Sequence, residues 1–335
     1  MKFSVGYSVR EENSLVDEIV RLKGGISEVY FSFLGMPSGR SEGVMQNSNL
    51  SPHEARDKMQ DDILKMSRAG LKFNLLFNAN CYGGRAESRA LFSEIGDAID
   101  YVSSHYSLSS VTTASPLVAK FVKQNFRGLD VRASVNLGIG NALSLEYVLE
   151  YFDSFYAKRE LNRDINALTQ LRSLADAYGK KMHILANSGC LNFCTAHTFH
   201  DNLVAHERKA GEMDNGYKFT GLCKEYFAKS PSGDKIIRAT NFIRPEDTGL
   251  YENIAYSMKL ATRVHENPSK ILRAYIENGR FSGNSLSLLE PNHTSVLYPY
   301  ILDNSKIKSK IENGALTYEN LDAAFIKLEE NYAYV

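Results

Sequence analysis

The chain has 335 residues, 43% of them hydrophobic and 23% charged, with glycine and proline at ordinary levels, so it is neither disordered nor fibrous. Lysine plus arginine and aspartate plus glutamate both number 39, and this balance argues against a broad electrostatic grip on RNA or on an anionic membrane. No apolar run approaches the ~18–20 residues that a membrane helix needs. The first residues, MKFSVGYSVREENS, place Arg10 and two glutamates where a signal peptide would be apolar, so a cytoplasmic protein is expected.

In chain order, β-branched and apolar runs predict strands at 2–9, 28–33, 72–78, 110–113, 131–136, 154–157, 182–186 and 236–240. Helical spacing lies between them. Ser14 precedes Leu15, Ile19 and Leu22 on one face. Ser51-Pro52 is a cap followed by proline at the first helical position, with Met59, Ile63 and Met66 recurring behind it. Further helices are predicted to begin near Ser88, Pro116, Ser144, Asn166 and Glu246. This alternation is an α/β pattern, and its count suits a (β/α)8 barrel, a fold of typically ~250 residues. A doubly wound open sheet uses the same alternation, but no G-x-G-x-x-G follows the first strand. The expected organisation is a barrel over 1–265 with an insertion at about 190–235 over its mouth, then a helical C-terminal extension over 266–335. Within the extension, 318–332 places Leu321, Ala324, Phe325 and Leu328 on one helical face.

Chemistry in a barrel gathers at the C-terminal ends of the strands, and these ends are polar here. Asn80 and Cys81 follow the third strand, Asn136 the fifth, Arg159 and Glu160 the sixth, Asn187 and Cys190 the seventh, and Arg244 the predicted eighth. Any one asparagine is an ordinary turn former; several at one rim predict a polar, substrate-binding pocket. Arg159 and Arg244 are expected to hold an anionic or carbonyl group by forked hydrogen bonds. His197, in HTFHDNLVAHE, is placed near the same mouth, and Glu160 is a candidate base or a partner for Arg159.

The whole cysteine inventory is Cys81, Cys190, Cys194 and Cys223, too sparse for a disulfide scaffold. Cys190 and Cys194 form a C-x3-C pair, Cys81 shares their predicted end of the barrel, and Cys223 lies in the insertion. Four converging thiolates suit an iron–sulfur cluster or a tetrahedral zinc ion equally, and spacing does not separate the two.

Arg159-Glu160-Leu161-Asn162 with Asp164-Ile165, the segment ILANSGCLNFC, and FIRPEDTGLYENI followed by Met258-Lys259-Leu-Ala-Thr-Arg263 resemble, in order, three motifs of the peptidase U32 family. Thr262 stands where the last motif has glycine, and the cysteines are more widely spread than the family's usual run. The resemblance implies a barrel-like catalytic domain and a [4Fe–4S] cluster held by four cysteines. It also implies either collagenase-like peptidase activity, from the family's name, or hydroxylation of RNA bases or of a quinone precursor. The first expectation is therefore a metal-binding oxidoreductase acting on a polar small molecule or modified residue, with Lys259 and Glu160 as catalytic candidates and a protein of the same family as a candidate partner. Against a metal-dependent peptidase, the sequence has no H-E-x-x-H and no G-x-S-x-G. Against an RNA-binding accessory protein stand the zero net charge and the scatter of its 19 tyrosines and 17 phenylalanines.

Overall fold

The computed structural model describes residues 1–36, 38–39, 48–206, 219 and 221–328. Eight parallel strands close into a barrel in sequence order. They are β1 (Phe3–Gly6), β2 (Ile26–Phe31), β3 (Phe73–Phe77), β4 (Leu108–Thr113), β5 (Asp130–Ala133), β6 (Ser154–Tyr156), β7 (Lys181–Leu185) and β8 (Met258–Leu260). Closure comes from β8 on β1, where Ser4 pairs with Lys259 and Val5 with Leu260. The predicted barrel is the observed one, with a different last strand. Of residues 236–240, expected as that strand, 236–239 belong to a helix, Gly233–Ala239, whose N-cap Ser232 accepts the Lys235 N–H. Two adjacent isoleucines in so short a window fit either period, and the cap decides for helix.

The surrounding helices begin where their caps predict. In α1 (Ser14–Arg21), Leu15 and Ile19 face inward. Helix α2 (Pro52–Arg68) opens on a full capping box, with Ser51 and Glu54 each accepting the other's backbone N–H. Ser88 and Ser115 cap α3 (Arg89–His105) and α4 (Pro116–Asn125), and Asp164 caps α6 (Ile165–Ala177), after the short α5 (Ala142–Glu146). Side chains alternating outward from the strands, such as Val29, Phe31, Leu75, Phe77, Val111 and Phe155, are buried against these helices.

The inward set is polar. Glu28 accepts from Ser4 at 2.9 Å, Asn74 at 3.2 Å, Ser110 at 3.0 Å and from Arg132, so one carboxylate joins four other strands across the barrel axis. Arg132 also donates to Asp130 at 2.7 Å and to Ser154 at 2.9 Å. Burial pushes the Glu28 carboxyl up, but the Arg132 charge and these hydrogen bonds hold it below its ordinary value. Above this floor, Tyr30 lies across Gly6, where a Cβ would come within 2.6 Å of its ring.

Beyond β8 the chain packs back on the barrel with more strand than the sequence predicts. Lys308–Glu312 pairs antiparallel with Ala315–Glu319, and Tyr300–Leu302 with Phe325–Lys327. Within the predicted 318–332 helix only Leu321–Ala324 is helical, and its end, 329–332, lies outside the described residues. No helix among the described residues is long and apolar enough to cross a membrane.

Candidate functional site

Parallel strands deliver their C-terminal loops to one end, so Cys81 beyond β3 and Cys190 beyond β7 stand at the same mouth. The loop carrying Cys190 is clamped by the C-terminal segment. Gly189 donates to Glu290 O at 2.8 Å, Glu290 donates to Asn187 O at 2.9 Å, and His293 Nε2 lies 2.8 Å from Gly189 O. A Cβ at 189 would strike the Pro291 carbonyl oxygen, which explains the glycine before Cys190.

The mouth holds a pocket of about 90 Å³ whose lining includes Tyr30, Asn136, Arg159, Cys190, Lys259 and Arg263. Arg159, in a short 3-10 turn after β6, donates to Cys190 Sγ at 3.5 Å. Its other terminal nitrogen meets the ring of His197, the first residue of α7 (His197–Ala205). Asp201 Oδ2 lies 3.3 Å from His197 Nε2 and accepts from Asn80 at 3.1 Å, while Asn80 in turn accepts from Asn136 at 3.2 Å. Burial first, and then the Arg159 charge, push the His197 imidazole below its ordinary value, against the pull of Asp201. The structure thus joins Asn80, Asn136, Arg159, His197 and Cys190 in one chain of contacts.

Lys259 differs from every other cation near it. Its Nζ sits 4.0 Å from the Tyr30 ring centre and 5.1 Å from that of Tyr156, with no hydrogen bond or ion pair among the described residues. Burial, and then the charges of Arg263, Arg132 and Arg159 against the pull of Glu28, push its ammonium down to about 7.

All four cysteines are free thiols of intermediate exposure. Burial raises the Cys223 thiol, and the charges of Cys190 and then Cys194 add to that, so Cys223 lies within the field of both. Cys81 accepts the Gly83 N–H at 3.4 Å, on the side of His206 at the end of α7. Among the described residues no three His, Cys, Asp or Glu side chains stand ready around a single cation position.

Three predicted contacts fall elsewhere. Arg244 does not reach the mouth. It is buried under the C-terminal segment, donating to Asn304 Oδ1 at 2.9 Å, Asn304 O at 3.0 Å, Ile307 O at 3.0 Å and Ser309 at 3.1 Å. Its assignment followed from the misplaced eighth strand. Asn187 is spent on the backbone, donating to Leu288 O at 2.9 Å and accepting the Ala261 N–H at 2.7 Å. Glu160 accepts the N–H of Phe193, a residue at φ 52°, and so shapes the loop between Cys190 and Cys194 rather than pairing with Arg159. Conversely, Tyr30, Asp201 and Arg263 were not singled out from sequence. Arg263 alone had a signal there, closing the motif that contains Lys259.

Fold and site together define a (β/α)8 barrel with a polar, thiol-bearing pocket at the C-terminal ends of its strands, the position of active sites in barrel enzymes. No family model matches the chain. An uncharacterized protease of Methanocaldococcus jannaschii is 25% identical over 317 residues, covering 91% of this chain and 87% of the relative. The solved structure of the U32 peptidase Mk0906 shares the fold with a TM-score of 0.55 at 13% identity, over 77% of this chain and 91% of that one. The first likeness is one of sequence, to a protein named as a protease, and the second shows that the chain shares its fold with a solved U32 peptidase.

Proposed function

We propose that the chain is a U32-type enzyme whose four cysteines hold a [4Fe–4S] cluster at the barrel mouth, beside a pocket that binds a polar, anionic substrate for oxidoreductase chemistry of the hydroxylation kind. The observation that carries this reading is Cys190, whose thiol lines the pocket of Lys259 and Arg263 and accepts from Arg159. The donor set fits the group in kind and number: four free thiols, with Cys223 in electrostatic reach of both Cys190 and Cys194. Their spacing has still to close around it, as expected where metal binding completes local folding. Bound there, the cluster would supply one-electron chemistry. The protein's own part is to hold the substrate anion with Arg159 and Arg263 and to keep an uncharged amine, Lys259, inside the pocket.

A second reading, a thiol peptidase, is favoured by the run Cys190, Arg159, His197 and Asp201 and by the names of both relatives. A nucleophilic thiol needs a resident base within reach; His197, beside Asp201, is the candidate, and the Arg159 guanidinium stands between its ring and Cys190. Anaerobic purification with iron and acid-labile sulfide analysis separates the readings. Brown protein with near-equal iron and sulfide, bleached by Cys190→Ser, supports the cluster. Colourless protein that cleaves gelatin and is silenced by iodoacetamide supports the peptidase. Colourless protein carrying zinc returns the thiols to a zinc site and ends the cluster reading.

A further inference from the structure

The feature to which neither reading assigns a chemical step is Lys259. A lysine inside a barrel normally finds a carboxylate, and three are near: Asp201, held against His197 and Asn80, and Glu290 line the same pocket, and Glu28 lies below it, yet none is within ion-pair distance of the amine. Glu28 sits on the neighbouring layer, but its oxygens are already taken by Ser4, Asn74, Ser110 and Arg132. Lys259 is left against two aromatic faces, with Arg263 and Arg159 lining the same pocket. The geometry points to Lys259 as an amine nucleophile that condenses with the carbonyl of a small 2-oxo acid, whose carboxylate is held by Arg263 and Arg159. The pocket volume of about 90 Å³ suits a substrate of only a few heavy atoms.

A lysine becomes nucleophilic when it is desolvated or placed beside other cations, and both conditions hold here. Burial and the Arg263, Arg132 and Arg159 charges act in one direction, the already paired Glu28 in the other, and Tyr30 and Tyr156 face the amine as neutral phenols raised by burial. The result is an amine pushed down to about 7, with a substantial uncharged fraction at neutral pH. In the step itself, the Nζ lone pair attacks the carbonyl carbon and the C=O π pair moves to oxygen, which takes up a proton given by the attacking nitrogen. The carbinolamine then breaks its C–O bond. The nitrogen lone pair forms C=N, and the hydroxyl leaves as water with the second nitrogen proton. Amine plus oxo acid give imine plus water, with no oxidant or reductant required. The carboxylate forks of two arginines fix which carbonyl compounds enter.

The inference rests on the barrel mouth being the active site, as proposed above, but not on the metal or thiol chemistry there. The test is trapping of the full-length protein with pyruvate or glyoxylate and sodium borohydride, read by intact mass and peptide mapping, with iron measured on the same sample. One reduced adduct on Lys259 is expected, with labelling half-maximal near pH 7 and about tenfold less with acetone, which lacks the carboxylate. Lys259→Arg should abolish it; should that variant fail to fold, the mapped position in the unaltered protein carries the decision. Adducts that are absent, or spread over surface lysines with an ordinary lysine pH profile, would overturn the proposal. An adduct on Lys259 in protein carrying no iron would uphold it while the cluster reading fails.

Discussion

The floor and the mouth of this barrel are both lined by charged groups, yet they are built on opposite terms. On the floor every charge is answered: Glu28 by four donors, and Arg132 by Glu28, Asp130 and Ser154. At the mouth Lys259 meets only ring faces, and Arg159 spends its donors on a thiol and an imidazole. Buried polarity alone therefore does not mark a site; unanswered polarity does. The completed floor fixes the strands in place, and by consuming Glu28 it withholds the counter-charge that would otherwise quench Lys259.

The comparison is broken most directly at Glu28. Glu28→Gln leaves Arg132 charged and deprived of its central partner in a dry interior, a loss of about 3–5 kcal/mol. Urea unfolding should show a lower midpoint at unchanged slope. A cost below about 1 kcal/mol would mean that the floor is not a paired unit. Arg244 sharpens the same contrast, because it was expected at the mouth and its bonds are of the floor type. Arg244→Ala strips donors from Asn304, Ile307 and Ser309 and should cost about 2–3 kcal/mol. At a temperature where the variant stays folded, borohydride trapping on Lys259 should be unchanged, whereas a lost adduct would return Arg244 to the substrate.

How much of this was legible depends on what each residue's position needs. Cys81 and Cys190 could be put at one mouth because parallel strands alternate with helices and every loop after a strand emerges at the same end. The last strand could not be found, since Met258–Leu260 is three residues long and presents no period, while Ile236-Ile237 looked better than it was. The C-terminal hairpin had a readable signal that the expectation of a helical extension over 266–335 passed over. Asn313-Gly314 joins its strands with both residues at positive φ, 51° and 79°, the pair that a two-residue hairpin turn demands. Lys259 itself was nameable from its motif. Its surroundings were not, because Tyr30, Tyr156 and Arg132 arrive from three other strands and their meeting is a matter of register.

The smallest expected effect separates floor from mouth by sign. Glu28 is held below its ordinary value, so the floor's contribution is present above the unfolded carboxylate range and is lost as pH falls through the folded one. Lys259 is pushed from 10.5 down to about 7, so between those values the unfolded chain binds a proton that the folded chain does not. Folding is penalised by this group, fully below about pH 7 and not at all above the ordinary lysine value. Lys259→Met, which keeps the length of the side chain and removes the amine, should therefore stabilise the protein. The gain should be about 1–2 kcal/mol at pH 6, where aromatic faces already offset part of the desolvation cost, and should vanish as pH approaches 10. Thermal melts of the two proteins across that range give the answer. A variant that is less stable at pH 6 would show that the ammonium is held by attraction in the fold, and would place Lys259 with the answered charges of the floor.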